Sequence, residues 1–324
     1  MGNYERIKRK ENETLFDYYK RITDMRRDYD LDYSEYSEII TGKQYSSENG
    51  RKMYYCMKAM FDNLEEDKKE ETRILCISDM HIPFNKDIEE FFKYKGKVDI
   101  LVLNGDIIDC QSMSNFTKMY RQPLIEELVT ARELLLKLIE EIKPKKVVVI
   151  TGNHEMRLGK KIADKIGTDL MELMPKDALA FLFDTGFNHY DRKKKIKTVY
   201  TPINQEVDCE VEYVGDFWTK IGRTIFVHPQ SFRGSTLGTV NKAFDYFVNR
   251  GEDFQSIIMA HTHKLGMTVV GERYLYEQGC CADLGHMDYM DMKLPKTGQV
   301  NGYMWIVQDK EGNLIYDKTK LIKF

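Results

Sequence analysis

Short apolar runs recur through most of the chain and predict buried strands. The five clearest runs are continuous rather than alternating in hydrophobicity, which is typical of strands that are covered on both faces. In chain order they are Ile74–Ile77, Asp99–Leu103, Val147–Ile150, Thr224–Val227 and Ser256–Met259. Between them, apolar residues at three- and four-residue spacing predict helices, and the longest such pattern runs from Leu124 to Ile142 and ends before Pro144.

Weaker patterns complete the predicted fold. Helices are expected at Asp87–Tyr94, Met156–Ile166 and Thr239–Asn249, and strands at Val207–Val214, Thr219–Val227, Met267–Tyr276 and Tyr303–Tyr316. We therefore expect an α/β fold, a two-sheet sandwich flanked by helices, with polar residues along the edge where the strands end. Residues 187–218 are rich in charge and tyrosine, and we expect them to form an insertion that shapes access to that edge.

The first seventy residues have a different pattern and predict a separate helical unit. Helical spacing of apolar residues covers Leu15–Arg27, Tyr33–Ile40 and Ser46–Phe61, with a glycine-containing break at Thr41–Lys43 and a charged connector at Glu65–Glu71. We expect two domains: a small all-α domain of residues 1–70 and an α/β domain of residues 71–324.

Two helices across a glycine-containing turn resemble a helix-turn-helix module. If the third helix contacts nucleic acid, the residues toward its N-terminal end would do so, namely Ser47, Asn49, Arg51 and Lys52. A helical brace packed on the other domain, or a dimerisation element, explains the same pattern equally well.

Composition and charge are those expected of an intracellular enzyme. The 324 residues are 42% hydrophobic and 31% charged, without a stretch long and apolar enough to span a bilayer. The N-terminus lacks the apolar core of a signal peptide, so we expect a cytoplasmic protein that does not associate with membranes. The six cysteines include no Cys-x-x-Cys pair and are expected to be reduced, mostly buried thiols.

The net charge of −3 means that nucleic-acid binding would require a local basic patch. The densest candidate is Arg192–Lys197, whose charges a solvated loop also explains.

Candidate chemistry lies directly after the five apolar runs. Five of the seven histidines occur there, together with aspartate and asparagine, and all three residue types bind divalent metals. In chain order these residues are Asp79 and His81, Asp106 and Asp109, Asn153 and His154, His228, and His261 and His263. One such residue after a strand is more often a cap or a core residue than a ligand. Nine in the same structural position predict a binuclear metal site.

These segments resemble the Asp-x-His, Gly-Asp-x-x-Asp, Gly-Asn-His-Glu, His and Gly-His-x-His signature of calcineurin-like metallophosphoesterases, from Thr72 to the C-terminus. The match departs at Ala260, where the family usually has glycine. The resemblance implies a metal-dependent phosphoesterase. It implies that the first metal is surrounded by Asp79, His81, Asp106 and His263, and the second by Asp106, Asn153, His228 and His261.

The resemblance also implies roles for residues beside the metals. His154 would face the substrate and donate a hydrogen bond or a proton to the departing oxygen, and Asp109 would orient a ligand histidine or the His154 ring. Arg157 and Arg233 follow metal segments closely and are candidates for contacting the phosphate.

The expected cofactors are two divalent metal ions. Oxygen and nitrogen ligands without thiolate suit Mn²⁺, which we favour, as well as Fe²⁺, Zn²⁺ and Co²⁺. Such ions make a water acidic enough to attack phosphorus at neutral pH.

The substrate is the least determined feature, because loops around such a centre set its specificity. The leading hypothesis is a phosphodiesterase or nuclease acting on DNA or RNA, since similar N-terminal modules precede metallophosphoesterase domains encoded by bacteriophages. The location would then be the host cytoplasm. A phosphatase or phosphodiesterase for a small nucleotide is the alternative, and a non-catalytic nucleic-acid-binding or scaffold protein is a third. Oligomeric state does not follow from the sequence.

Overall fold

The computed structural model describes residues 7–69, 71–115, 121–165, 173–286 and 298–324. The chain divides into two compact units, Met1–Glu71 and Thr72–Phe324. Among the described residues, none of the helices is both long enough and apolar enough to cross a bilayer.

The first unit contains three helices, α1 (Leu15–Asp24), α2 (Tyr33–Thr41) and α3 (Ser47–Lys69). Ile22 and Tyr36 are fully buried between them, and the Tyr36 hydroxyl hydrogen-bonds to that of Thr23 at 2.8 Å. The helix α2 ends at Gly42, whose φ of 74° is a left-handed conformation that glycine adopts without strain. The prediction for α3 was too short: glutamates and lysines continue the helix through most of the expected connector, to Lys69, and Glu70 lies outside the described residues.

The second unit is built on two sheets and a separate hairpin. The strands are β1 (Thr72–Ile77), β2 (Ile100–Asn104), β3 (Lys146–Ile150), β4 (Phe187–Asp191), β5 (Ile196–Tyr200), β6 (Glu210–Tyr213), β7 (Trp218–Ile221), β8 (Thr224–Val227), β9 (Ser256–Met259), β10 (Leu265–Val270), β11 (Arg273–Gln278), β12 (Gly302–Gln308) and β13 (Lys320–Lys323). The sheets have the strand orders β13-β12-β1-β2-β3-β6 and β10-β11-β9-β8-β7, and β4 and β5 form the hairpin.

The two sheets pack face to face, which confirms the predicted sandwich. Alternate side chains of β1 lie on opposite faces of the sheet. Ile74 and Cys76 pack between the two sheets, whereas Leu75 and Ile77 pack against an outer layer of helices. That outer layer includes the helices α4 (Leu124–Ile142), α5 (Arg157–Ala163) and α6 (Ala180–Phe183). The helix α7 (Gly238–Asn249) covers the other sheet through Val240 and Phe247. Both faces of β1, β2 and β3 are therefore buried, as their continuous apolar runs predicted.

Several predicted boundaries were wrong because the apolar pattern continues through turns. Thr219–Val227 and Met267–Tyr276 were each expected to be one strand, but each spans a hairpin that turns at Gly222 or Gly271, both with positive φ. The predicted strand Tyr303–Tyr316 ends at Gln308, and β13 was not predicted.

The remaining differences concern the ends of helices and the expected insertion. A 3-10 helix, Ile88–Tyr94, occupies the segment expected as Asp87–Tyr94, and α5 ends at Ala163, while the predicted end at Ile166 lies outside the described residues. Residues 187–218 are only partly an insertion, because β6 joins the larger sheet beside β3. All six cysteines are free thiols, and four of them are buried.

Candidate metal centre

The candidate ligands follow parallel strands that end at the same edge of the sandwich. The pairs β1–β2, β2–β3 and β8–β9 are each parallel, so the loops after these strands meet there. Backbone hydrogen bonds join the first two loops, from the Asp79 N–H to the Gly105 carbonyl and from the His81 N–H to the Asp106 carbonyl, each at 3.0 Å. Residues distant in sequence are thereby held side by side.

One group of side chains gathers Asp79, His81 and His263, which are all buried. Nε2 of His263 lies 3.2 Å from Oδ1 of Asp79 and 3.2 Å from Nε2 of His81. These atoms can ligate one metal ion together, because one ligand atom from each residue lies within 4.8 Å of the other two.

A second group gathers Asp106, His228 and His261. Oδ2 of Asp106 lies 3.3 Å from Nε2 of His228 and 4.0 Å from Nε2 of His81 in the first group. The Asp106 carboxylate thus lies between the two groups, which is the position that a bridging ligand requires. Nδ1 of His228 donates to the Asn104 carbonyl at 2.8 Å, so that its Nε2 faces the site.

Buried polar atoms without hydrogen-bond partners test whether this site fits metal ions. They include Oδ1 of Asp79, Oδ1 of Asn153, Nε2 of His228 and Nε2 of His261. Leaving such atoms unpaired costs about 1–3 kcal/mol each, and native proteins rarely do so without a reason. Unpaired buried atoms also occur elsewhere in the described residues, but these four are lone-pair oxygen and nitrogen atoms of predicted ligands, so the donor set fits divalent cations.

Backbone strain is concentrated at the same residues. Five predicted ligands, Asp79, His81, Asp106, His261 and His263, have φ between 49° and 79°. Residues other than glycine rarely adopt this backbone conformation, which costs about 1–3 kcal/mol per residue. The loops therefore hold an unfavourable backbone conformation at five of the predicted ligands.

Two glycines allow the loops to approach closely enough. A Cβ atom on Gly152 would clash with the backbone nitrogen and Oδ1 of Asp106, and one on Gly105 would lie 2.5 Å from Nδ1 of His228. The glycines in the Gly-Asp and Gly-Asn-His-Glu segments are therefore required by the packing of the ligands.

Glu155 is a supporting residue for which sequence analysis predicted no role. Its buried carboxylate accepts hydrogen bonds from the backbone N–H groups of Asp106 (3.1 Å), Ile108 (2.9 Å) and Gly152 (2.9 Å). It thereby ties the loop after β2 to the loop after β3. Its presence in the Gly-Asn-His-Glu segment was the only signal in the sequence.

Asp109 contacts two histidines at once. Its Oδ1 lies 3.2 Å from Nδ1 of His81 and 3.0 Å from Nδ1 of His154. Burial opposes ionisation of the carboxyl, but the bonds with His154 and His81 hold the pKa of Asp109 well below its usual range. A charged carboxylate in this position orients both rings.

The two predicted phosphate-binding arginines differ in their surroundings. Arg157 lies at the site: Nη2 is 2.7 Å from Nε2 of His154 and Nη1 donates to the Asp109 carbonyl at 2.9 Å. Arg233 is exposed on the loop after His228, where its backbone N–H donates to Oγ1 of Thr239 at 2.8 Å. Only Arg157 is held against a predicted catalytic residue by a hydrogen bond.

The site is electronegative. Burial opposes ionisation of Asp79, but His228 and His263 lower its pKa to about 2, and Asp106 is likewise acidified by His154 and His228. Burial favours neutral His228, yet Asp106 and Asp79 raise its pKa to about 10. Burial lowers the pKa of His81 to about 4, which keeps this ring in the neutral form that ligates metals. The ionised Asp79 and Asp106 carboxylates therefore attract cations, and a divalent metal ion would replace the proton that they favour on His228.

Comparison with protein families gives one match: the model described as calcineurin-like phosphoesterase matches residues 72–265. The matched segment contains every predicted ligand. No curated protein matches the chain.

Solved structures that resemble the chain share little sequence with it. Vacuolar Protein Sorting 29 from Cryptosporidium parvum is 14% identical with a TM-score of 0.36, and the match covers 78% of this chain and 97% of that chain. A structure described as a novel archaeal phosphodiesterase is 12% identical with a TM-score of 0.36, covering 78% and 100%. Vps29 complexed with Zn²⁺ from Entamoeba histolytica is 13% identical with a TM-score of 0.36, covering 78% and 98%.

Proposed function

Because this chain belongs to the calcineurin-like phosphoesterase family, and is therefore a metal-dependent phosphoesterase, we propose that it hydrolyses phosphodiester bonds of DNA or RNA. The observation that carries the catalytic part is the convergence of aspartate and histidine ligand atoms from four loops, several of them buried and without a hydrogen-bond partner. The nucleic-acid part rests on charged surfaces elsewhere in the chain.

We assign the ligands as the sequence analysis predicted, with Asp79, His81, Asp106 and His263 around one ion and Asp106, Asn153, His228 and His261 around the other. When bound, two divalent ions would neutralise phosphate charge and activate a water for attack on phosphorus. The strained loops hold the side chains in place beforehand, so little reorganisation is needed at the moment of reaction.

His154 and Arg157 act together on the substrate in this proposal. A guanidinium has no acceptor, so Nε2 of His154 accepts the hydrogen bond from Arg157 and is unprotonated in that arrangement. When the substrate phosphate binds the Arg157 guanidinium instead, Nε2 can take up a proton from solvent and pass it to the departing oxygen. The Asp109 carboxylate, 3.0 Å from Nδ1, keeps the ring oriented with Nε2 toward the position of the phosphate.

A basic hairpin supports a polyanionic substrate. The turn between β4 and β5 carries Arg192, Lys193, Lys194 and Lys195, all of which are exposed. Oδ1 of Asp191 accepts hydrogen bonds from the backbone N–H groups of Lys193 and Lys194, which fixes the turn while the cationic side chains remain in solvent. Phosphate contacts of this kind bind nucleic acid without reading its sequence.

The helical unit offers a second surface of the same kind. Ser47, Asn49, Arg51 and Lys52 are all exposed in the first turns of α3, where a helix of a helix-turn-helix module contacts DNA. We propose this module as a nucleic-acid-binding element. If it were a brace or a dimerisation element instead, replacing these exposed residues would not change polynucleotide cleavage.

Two adjoining cavities favour a small nucleotide as the second candidate substrate. They have volumes of about 390 and 470 Å³, share Phe217 and Gln230, and reach Pro229 and Thr151, beside ligand segments. Cavities of this size accommodate a small organic ligand. A substrate panel separates the two candidates.

The catalytic part is tested with bis-p-nitrophenyl phosphate and full-length protein in Mn²⁺. We expect hydrolysis by the wild type and loss of it in Asp106→Asn and His263→Ala, with unchanged far-ultraviolet circular dichroism. His189→Ala is the matched control, because His189 lies on β4 outside the metal groups. Equal rates in all four proteins would contradict the assignment.

The substrate is tested with single-stranded DNA, duplex DNA, RNA, and cyclic and linear nucleotides. In the full chain, Lys193→Ala with Lys195→Ala should slow polynucleotide cleavage and weaken its salt dependence, but leave bis-p-nitrophenyl phosphate unaffected. Arg51→Ala with Lys52→Ala tests the helical unit, and Lys320→Ala with Lys323→Ala is the charge-matched control. Cleavage of nucleotides alone would establish the second candidate.

A further inference from the structure

The loop from Pro229 to Leu237, between β8 and α7, presents an aromatic side chain beside the metal centre. Phe232 is 64% exposed, and its ring centroid lies 6.0 Å from that of the predicted ligand His261 at an interplanar angle of 61°. One exposed phenylalanine is common on protein surfaces. This one differs because the loop that carries it is anchored by buried charged residues.

Lys264 is the first anchor. Its side chain is buried, and its Nζ donates to three successive carbonyls of the loop, those of Arg233 (2.9 Å), Gly234 (3.0 Å) and Ser235 (3.0 Å). An ammonium group has three donors, so this arrangement uses all of them. Burying a charged ammonium is costly unless it is compensated in this way, and a loop without a required conformation would not need it.

Glu277 and Thr239 anchor the loop from the other side. Glu277 is fully buried, and its Oε2 accepts a hydrogen bond from the Leu237 N–H at 3.0 Å. Leu237 has a φ of 62°, a strained conformation that this bond helps to hold. Oγ1 of Thr239 accepts from the Arg233 N–H at 2.8 Å. The backbone on the C-terminal side of Phe232 is therefore fixed, while the Phe232 ring faces solvent.

We infer that Phe232 is a stacking surface for the nucleobase next to the scissile phosphate, and that Lys264 is the positioning residue that sets its place relative to the metals. This inference rests on the proposed function. Lys264 directly follows the predicted ligand His263, so one segment fixes both the metal site and the loop that carries the ring. Stacking on an aromatic ring suits every base, since each base has a π-face.

Two substrates with the same leaving group isolate this contact: thymidine 5′-(p-nitrophenyl phosphate), which carries a base, and methyl p-nitrophenyl phosphate, which does not. In Phe232→Ala we expect KM for the thymidine substrate to rise about tenfold, because one stacked base is worth about that factor, with kcat within about twofold of the wild type. Phe232→Trp should restore KM. Tyr316→Ala, which removes an exposed aromatic ring elsewhere, is the control.

Lys264→Met should raise KM for the thymidine substrate selectively, with metal content unchanged, whereas a merely structural role would lower activity on both substrates together. If Lys264→Met does not fold, the comparison of Phe232→Ala with Phe232→Trp still shows whether an aromatic ring at this position binds the base. An equal change in KM for both substrates in Phe232→Ala, or no change, overturns this inference alone. A wild type that cleaves neither substrate overturns the proposed function and this inference with it.

Discussion

Replacement of Asp109 by asparagine tests how this carboxylate supports His81 and His154 at the metal centre. The carboxylate is buried, and one of its oxygens contacts Nδ1 of both His81 and His154. Because the pKa of Asp109 is held well below its usual range, the group is ionised at neutral pH. Asparagine keeps the size and one acceptor oxygen but removes the charge.

The expected magnitude follows from the bonds that lose their charge. A hydrogen bond to a charged group contributes about 1.5–3 kcal/mol and a neutral one about 0.5–1.5 kcal/mol, so each histidine loses roughly 1 kcal/mol or more. On the His81 side this loss weakens a metal ligand, and we expect Mn²⁺ affinity to fall about 10- to 100-fold. On the His154 side we expect kcat/KM at saturating Mn²⁺ to fall by about tenfold.

The assay is a competition titration of Mn²⁺ against a fluorescent chelator, followed by kinetics on bis-p-nitrophenyl phosphate at saturating metal. Asp317→Asn, an exposed aspartate in a 3-10 turn, is the matched control and should behave as the wild type. If Asp109→Asn bound Mn²⁺ and turned over as the wild type does, the proposed support of the two rings would be wrong.

Three further changes give distinct expected outcomes. Gly152→Ala should abolish metal binding, since the added Cβ would clash with Asp106; isothermal titration with Mn²⁺ measures this, and wild-type binding would refute it. His154→Gln should leave metal content intact but slow turnover about a hundredfold on a substrate with a poor leaving group, as steady-state kinetics would show; loss of metal instead would make His154 a ligand. Burial opposes ionisation of Asp99, but its hydrogen bonds from Arg73 lower its pKa. The ionised carboxylate therefore stabilises the fold above the ordinary pKa of about 4, and this stabilisation is lost as the pH falls through the lowered pKa of the folded state. Asp99→Asn should therefore lower the free energy of unfolding by about 1 kcal/mol at pH 7 but not at pH 2, as urea titration measures, and an equal difference at both pH values would contradict this.

The strands that carry the site could be predicted from the sequence, whereas their supports could not. Ile74–Ile77 and the similar runs are buried on both faces, so their continuous apolar character and the polar residues after them are local signals. Glu155 and Lys264 act through backbone groups of other loops, and the local sequence does not indicate which amides or carbonyls they will meet. The hairpin at Gly222 was missed because its apolar pattern continues through the turn.

Asn153 and His228 illustrate the same distinction within the site. Their positions after strands could be predicted, but the unpaired Oδ1 and Nε2 atoms that make them suitable ligands depend on the fold of both sheets. The positive φ values of ligands such as Asp79 and His263 were also not predictable, since glycine, the usual signal for that conformation, is absent at these positions.

Metal stoichiometry tests most directly the central claim that these loops form a two-metal centre. Full-length protein is equilibrated with Mn²⁺, separated from free metal by gel filtration and subjected to elemental analysis. We predict two ions per chain in the wild type and in His189→Ala, and fewer in His263→Ala and Asp106→Asn. Wild-type protein without bound metal, or variants that retain both ions, would contradict the claim.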